Sequence, residues 1–600
     1  NVQASSLVAD NFNPNFPPDG SPTSSLEIQG TSESDILTGG FGDDTIYGNG
    51  GADEIDGQAG SDLIYGGEGD DVIVGNFGDD TIYGEAGNDR ITDNQGENFI
   101  DGGEGNDTIE SRSLSGNPTL KGGQGSDNLM ATGDIVFLDG GEGNDELRVY
   151  GYVDSEGNRS YLESGDATLY GGSGTDNIRA YYYQDIYADL GTENDSISLE
   201  NVRTAEIYGG EGDDSLNANG WGLVYAVYGG LGNDYLYSNA NGSSLVEGGE
   251  GDDNLSINLN SNYDRWNDPL DVDTDNDGFF YDETLSYQAI GGVGNDSIDV
   301  NGHTNLAYGN IPADIEAIGG EGDDIINVVD NNAGRLNNNY DSQRAGIGNV
   351  LVDGGSGQDT ITVSGALNTS IKTGEGSDTI FLTAQQYRFI EEGDKNFYIE
   401  DYGNEANNYQ YKRTEYTHEV NAITLEDFTA GSSGDVIDYG DLLRNGTLFY
   451  DGDNPFAKGF LNLEQSGEDT LIKFDKDGNE GSESEAITIA ILKNVQASSL
   501  VADNFNPNFP PEGIIIKPPE PPEEIIDKTG AEFGYQLVDE NGEVVNHLAV
   551  MGSEADKQYT LEITGESLVD GFNLDAVDLT VDFESSLFKA VDIENDVTIR

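Results

Sequence analysis

Polar and apolar positions in this chain follow a nine-residue beat. Residues 66–92 read GGEGDDVIV GNFGDDTIY GEAGNDRIT, with Gly first, Asp sixth and Ile eighth in each nonapeptide. The spacing runs without a gap through repeats that start at residues 30, 39, 48, 57, 66, 75, 84, 93 and 102. Position 8 is Leu or Ile in every one, from Leu37 to Ile109. Position 6 is Asp35, Asp44, Asp53, Asp62, Asp71, Asp80, Asp89 and Asp107, with Asn98 in the repeat that starts at 93. Nowhere does an amphipathic helical period emerge. The pattern predicts short strands joined by tight turns. Glycine takes left-handed turn conformations at little cost. The three residues after Asp form a short strand, which puts position 8 on the same inner side as position 6. Stacked turns then bury a column of Leu and Ile, while the Gly-Asp corners stack into a second column.

Downstream the motif occurs singly, with its Asp at 127, 145, 176, 195, 214, 234, 253, 296, 324, 359 and 378. Most intervals are two nonapeptides long, so one half of each pair has lost its glycines and kept its strand. The longer intervals (145 to 176, 253 to 296, 296 to 324, 324 to 359) mark inserted loops. The edge without Asp needs another support, for which Tyr181 to Tyr183 or Val224, Tyr225 and Val227 are candidates.

These patterns divide the chain. Residues 1–20 read as the tail of a preceding module, because NVQASSLVADNFNPNFPP recurs unchanged at Asn494–Pro511. That copy implies a larger protein of tandem modules, each spanning the distance from Asn1 to Asn494. Residues 21–382 form the repeat solenoid. Residues 383–511 alternate as strands, as in ITLEDFTAGSSGDVIDY and EAITIAIL, and read as a β-rich cap. The prolines of residues 512–526 make a semi-rigid linker. Residues 527–600 alternate again (YTLEI, VDLTVDF) and suggest a β-sandwich that is incomplete at Arg600. The expected class is all-β.

Charge sharpens the picture. The 600 residues carry 115 acidic and 25 basic side chains, a net charge of −90. Carboxylates at that density repel one another unless something neutralises them. Nucleic acid and anionic lipid are poor partners, since each needs a basic footprint. Cysteine is absent, which excludes disulfides and thiolate metal sites. No apolar run is long enough for a membrane span, and no cleavable signal peptide opens the chain.

Soluble cations are the natural partners. Turn carbonyls and Asp oxygens from successive turns converge at the glycine corners. A hard divalent cation takes six or more oxygens, and calcium tolerates irregular geometry better than magnesium. At this point GGEGDDVIV and GGEGNDTIE resemble the Gly-Gly-x-Gly-x-Asp-x-U-x repeat of the RTX proteins. The resemblance covers residues from about 30 to 382. It implies a right-handed parallel β-roll with two nonapeptides per turn and calcium bridging successive turns through the position-6 Asp. Carried over, the ligands are Asp35, Asp44, Asp53, Asp62, Asp71, Asp80, Asp89, Asp107, Asp127, Asp145, Asp176, Asp195, Asp214, Asp234, Asp253, Asp296, Asp324, Asp359 and Asp378. Asn98 departs from the pattern, and Leu190 and Thr373 replace the first glycine of two later repeats. Residues 383–511 also resemble the β-rich segment that closes many RTX proteins exported by type I secretion, so the expected location is secreted, extracellular or on the cell surface.

A second candidate is DVDTDNDGFFYDE. Asp273, Asp275, Asp277 and Gly278 match the start of an EF-hand-type calcium loop, but Thr284 stands where a bidentate Glu is expected. A solvated acidic loop is the alternative. Tyr47, Tyr65 and Tyr83 at position 9 read as amphipathic covering of the strands, with a glycan-stacking surface as the other reading. His303, His418 and His547 read as surface residues. A phosphate-binding glycine loop is excluded by the missing Lys. No His-Glu-x-x-His or Gly-x-Ser-x-Gly is present, so catalysis is not expected. The expected role is structural: a calcium-dependent module of a surface layer, sheath, filament or adhesin stalk that self-associates with other copies and folds after export. Two alternatives remain, an adhesin for cell-surface glycans and the non-catalytic region of a larger secreted enzyme.

Overall fold

The computed structural model describes residues 25–112, 116–151, 165–219, 224–239, 242–260, 285–303, 313–330, 347–384, 394–401, 411–418, 421–447, 450–480, 486–511, 515–516, 531–538 and 560–567. Two units separate, residues 1–517 and 518–600.

In the first unit each turn of chain contributes one strand to each of two parallel sheets. The first sheet runs through Thr45–Gly50, Leu63–Glu68, Thr81–Ala86 and Phe99–Glu104, each paired in parallel with the next. The second runs through Ile36–Gly40, Glu54–Ala59, Val72–Phe77 and Arg90–Asp93 in the same way. Both ladders continue to Ala366–Lys372 and Thr379–Phe381. The fold is the parallel β-roll solenoid expected, and most of the described residues are in strands.

The strands Thr45–Gly50, Glu54–Ala59, Leu63–Glu68, Val72–Phe77, Thr81–Ala86 and Phe99–Glu104 are six residues long, not three. They take positions 7–9 of one repeat and 1–3 of the next. The backbone turns left-handed at position 2, where Asn49, Gln58 and Gly67 have φ of 74°, 75° and 115°, and again at position 4, where Gly51, Gly60 and Gly69 have φ of 98°, 127° and 129°. Ile46, Ile55, Ile64, Ile73, Ile82, Ile91, Ile100 and Ile109 are fully buried between the sheets. Tyr47 and Tyr65 stack at 5.1 Å with rings 2° from parallel, and Tyr65 stacks on Tyr83 at 5.1 Å. They cover the outside of the first sheet at the spacing of neighbouring strands.

Beyond residue 382 the two ladders gain further strands. Ile423–Leu425 and Ile487–Leu492 extend the first sheet, and Val436–Asp438 and Phe505–Asn506 extend the second. Asp469–Phe474 then pairs antiparallel with Ile487–Leu492, and Leu461–Ser466 with Asp469–Phe474. Two short helices form here, Gly440–Gly446 and Pro455–Lys458. The second is started by Asn454, whose side chain accepts from the amides of Phe456 and Ala457, with Pro455 in the first turn. Local capping thus makes a helix too short to show any period. Tyr439, Phe456 and Phe505 pack together over the solenoid's end. Phe505 lies in the duplicated segment. The first copy of that segment, residues 512–514 and 517–526 of the linker, residues 527–530, and Asp273, Asp275, Asp277 and His547 lie outside the described residues.

In the second unit the described strands are Ala531–Val538 and Thr560–Ser567, paired antiparallel.

Candidate metal centre

The two sheets meet at two edges, and each edge carries its own line of corners. At the first edge a first-sheet strand turns into a second-sheet strand. Asp53, Asp71, Asp89 and Asp107 stand there, and so does every singly recurring Asp from Asp127 to Asp378. At the second edge stand Asp44, Asp62, Asp80 and Asn98.

Each corner carboxylate is held by the preceding turn. The amide of Asp53 donates to Oδ1 of Asp71 at 2.7 Å, and that of Asp71 to Oδ1 of Asp89 at 2.8 Å. The rung repeats without interruption along the first edge. Examples are Asp145 to Asp176 (2.7 Å), Asp234 to Asp253 (2.8 Å) and Asp324 to Asp359 (2.9 Å). One oxygen of each carboxylate is thereby fixed in place.

The other oxygen has no protein partner. Oδ2 of Asp53, Asp62, Asp71, Asp80, Asp89, Asp107, Asp127, Asp145, Asp176, Asp195, Asp214, Asp234, Asp253, Asp296, Asp324, Asp359 and Asp378 is buried without a hydrogen bond. A buried charge left in that state is costly unless it is neutralised. Two predicted ligands at the first turns differ. Oδ2 of Asp35 accepts from the amide of Thr31 and Oδ2 of Asp44 from that of Gly40, both at 2.6 Å.

The first glycine of the repeat shapes the space around Oδ2. A Cβ on Gly66 would stand 2.6 Å from Oδ2 of Asp71 and 2.7 Å from the carbonyl oxygen of Gly84, one turn on. On Gly57 it would meet Oδ2 of Asp62 at 2.6 Å and the Gly75 carbonyl at 2.9 Å. At the glycine-bearing corners carboxylate and carbonyl oxygens therefore approach the same small space, which glycine leaves open; Leu190 and Thr373 stand at that position in the repeats of Asp195 and Asp378. The donors are all hard oxygens, the set a calcium ion prefers. Among the described residues no three His, Asp or Glu side chains converge on one point. An ion here would draw the rest of its ligands from the backbone.

Burial raises the carboxyls of Asp71, Asp145 and Asp296 to about 6, above the usual range. Asp62, Asp89, Asp107 and Asp127 are pushed up to about 7 by burial, and the neighbouring carboxylates of the column add to the effect. Asp195, beside the fully buried Leu190 that replaces the first glycine, reaches about 8 for the same causes. Without a cation these groups hold protons near neutrality.

Three features went unnoticed in the sequence. Asp435, in GDVI of the cap, takes the amide of Asp378 at 3.2 Å and so ends the first-edge column. Its Oδ2 is satisfied by the Thr429 amide (2.7 Å) and the Thr373 hydroxyl (3.1 Å). The Asp-x-aliphatic spacing was the available signal. Position 5 forms a second, exposed ladder of opposite direction, as in Asn88 to Asp70 (2.8 Å) and Asn106 to Asn88 (2.9 Å). The third is Asp93, fully buried at position 1 of its repeat with Oδ2 unpartnered.

At the second edge Pro118 follows Asn98 in register and ends the short column, since it has neither carboxylate nor N–H to offer. Aromatic residues take over the edge beyond. The hydroxyl of the buried Tyr225 donates to the Val202 carbonyl at 2.8 Å, and that of the buried Tyr183 to Gly133 at 3.3 Å.

A family model described as the RTX calcium-binding nonapeptide repeat matches residues 29–64, 47–82, 57–91, 74–109, 121–149, 206–220 and 227–245. Repeats of this kind bind multiple calcium ions. No curated protein matches the chain.

Proposed function

The chain carries a segment of RTX calcium-binding repeats, and from that premise we propose that its solenoid is a calcium-rigidified structural element of a secreted protein. The observation that carries the reading is the file of buried, unpartnered Oδ2 atoms along the corners. Asp53, Asp71, Asp89, Asp107, Asp127, Asp145, Asp176, Asp195, Asp214, Asp234, Asp253, Asp296, Asp324, Asp359 and Asp378 would hold ions at the first edge, and Asp62 and Asp80 at the second. Asp35 and Asp44 begin the two columns with their carboxylates already satisfied, so they are the weakest ligands. Bound calcium supplies the positive charge and the coordination that these oxygens lack.

The chain's own residues do the rest. The Oδ1 rungs tie each turn to its neighbour, and the buried Ile column supplies the apolar drive. Uncompensated, the Asp file opposes stacking. Ion binding and folding are then one equilibrium. At low calcium the chain would stay open and fit for export; at the calcium level outside the cell it would close and stiffen. Circular dichroism of the full chain, with calcium and then with excess chelator, tests this. The β-sheet signal should fall on chelation and return with calcium, and a signal indifferent to both would overturn the reading.

The role that fits a long ion-stiffened stack is that of a spacer or lattice element: a surface layer, sheath, filament or adhesin stalk. The duplicated eighteen-residue segment supports it, because serial modules lengthen a stalk or array and add nothing to a single site. Electron microscopy should show ordered assemblies or stiff rods with calcium and neither in chelator.

A further inference from the structure

The repeat at residues 93–101, DNQGENFID, breaks the pattern twice. Its position 6 is Asn98 in place of Asp, and its position 1 is Asp93 in place of glycine. The two departures meet in space. The strand Arg90–Asp93 ends with the Asp93 side chain directed back at the preceding second-edge corner. A Cβ on Gly75, the first residue of that corner, would fall against Oδ2 of both Asp93 and Asp80, the latter at 2.6 Å. Both oxygens are buried and neither has a hydrogen-bond partner. Oδ1 of Asp93 is occupied by the Gln95 amide at 3.3 Å, as Oδ1 of Asp80 is by the Asp62 amide at 2.7 Å. Each carboxylate thus presents its free oxygen to the same point.

Elsewhere along the columns the oxygen that meets Oδ2 at this place is a neutral backbone carbonyl, such as Gly75 opposite Asp62. Here it is a second carboxylate. Asn98 keeps the structural half of its position, accepting the Asp80 amide at 3.0 Å, but brings no charge. Pro118 leaves no further turn of the column to share one.

We propose that Asp80 and Asp93 together form the terminal site of the second-edge column, for a hard divalent cation of the calcium class. Asp93 supplies, from position 1, the negative charge that Asn98 has lost at position 6. The inference rests on the calcium reading of the columns. It differs from that reading in assigning a ligand the repeat pattern forbids, and in holding the Asn98 repeat competent to bind.

Two variants of the full chain test it, with native mass spectrometry counting the ions bound at saturating calcium. Asp93→Gly restores the usual residue of the repeat, so a purely structural effect should be benign. It should nevertheless lose one calcium ion. Asp93→Gly combined with Asn98→Asp returns the carboxylate to position 6 and should recover that ion. Asp71→Asn, in the other column, serves as the control and should lose at least one ion. An unchanged count in Asp93→Gly, with an ion lost in Asp71→Asn, overturns this proposal and leaves the general reading standing; Asp80 and Asp93 then share a proton. An ion lost in Asp93→Gly that Asn98→Asp does not recover overturns it as well. Unchanged counts in all three variants overturn the calcium reading itself.

Discussion

The amide of Asp80 donates to Oδ1 of Asn98 at 3.0 Å, the bond that the amide of Asp62 makes with Asp80 at 2.7 Å. An amide side chain therefore serves the hydrogen-bond ladder as an aspartate does. The scaffold and charge roles of position 6 are carried by different oxygens, and the protein itself contains the substitution that separates them.

Asp127→Asn should separate them experimentally. Oδ1 would still accept the Asp107 amide, now at 2.6 Å, so the calcium-free solenoid should be as stable as wild type or slightly more so. Removing one buried charge should shrink the rise in melting temperature that calcium produces. Melting curves with calcium and with chelator read both effects.

Acidity should replace calcium in part. Burial raises Asp62, Asp89, Asp107 and Asp127 to about 7 and Asp195 to about 8 in the folded, metal-free chain, against ~3.9 for an unfolded Asp. A carboxyl raised on folding contributes stability that is complete below the unfolded value and lost as pH climbs through the folded one. In chelator the β-sheet signal should therefore grow as pH falls from about 8 towards about 5. With calcium the sign reverses, because the ligands must be ionised to bind, and the calcium midpoint should rise on acidification. A chelated chain that folds better at pH 8 than at pH 5 would contradict the raised values.

Gly69→Ala and Gly431→Ala form a matched pair. Both glycines have positive φ, 129° and 117°. A Cβ on Gly69 would collide with the Gly51 carbonyl of the previous turn, whereas nothing lies within 4 Å of one on Gly431. The left-handed backbone alone should cost about 1–2 kcal/mol at either site. Gly69→Ala should cost more, because turn stacking must give way. Urea titrations at fixed calcium give the difference.

Ile82→Ala removes one rung from the fully buried aliphatic column. The neighbours Ile64 and Ile100 lie on adjacent strands and cannot both move into the gap. The loss should be roughly 2–5 kcal/mol. In a solenoid the damage spreads through nearest neighbours, so hydrogen exchange should quicken in the adjacent strands before it does near residue 380.

The two edges of the solenoid answer to different constraints. Successive rungs of the first edge join residues 18 apart at Asp71–Asp89, 31 apart at Asp145–Asp176 and 43 apart at Asp253–Asp296, yet the bonds stay at 2.7–2.8 Å. The extra chain, residues 152–164, 261–284, 304–312 and 331–346, always falls between a second-sheet strand and the first-sheet strand that follows. That is the second edge, where Pro118 has already ended the carboxylate column. An insertion at the first edge would break a continuous ladder; one at the second breaks none.

The sequence alone determined the period, the buried aliphatic column and the residues that stand at the corners. Those follow from local rules: glycine where the backbone must bend, a carboxylate and an aliphatic two residues apart on one side of a strand. It also showed that lone repeats leave one edge bare, though not where the extra chain would leave the stack. Only the tertiary structure decided which oxygen of each Asp is tied and which is free, that Asp435 continues the file into the cap, and that Asp93 faces Asp80. Each of these joins residues of different turns, through a register that inserted segments change from one turn to the next. The distance along the chain does not encode that register; the parallel pairing of the strands does.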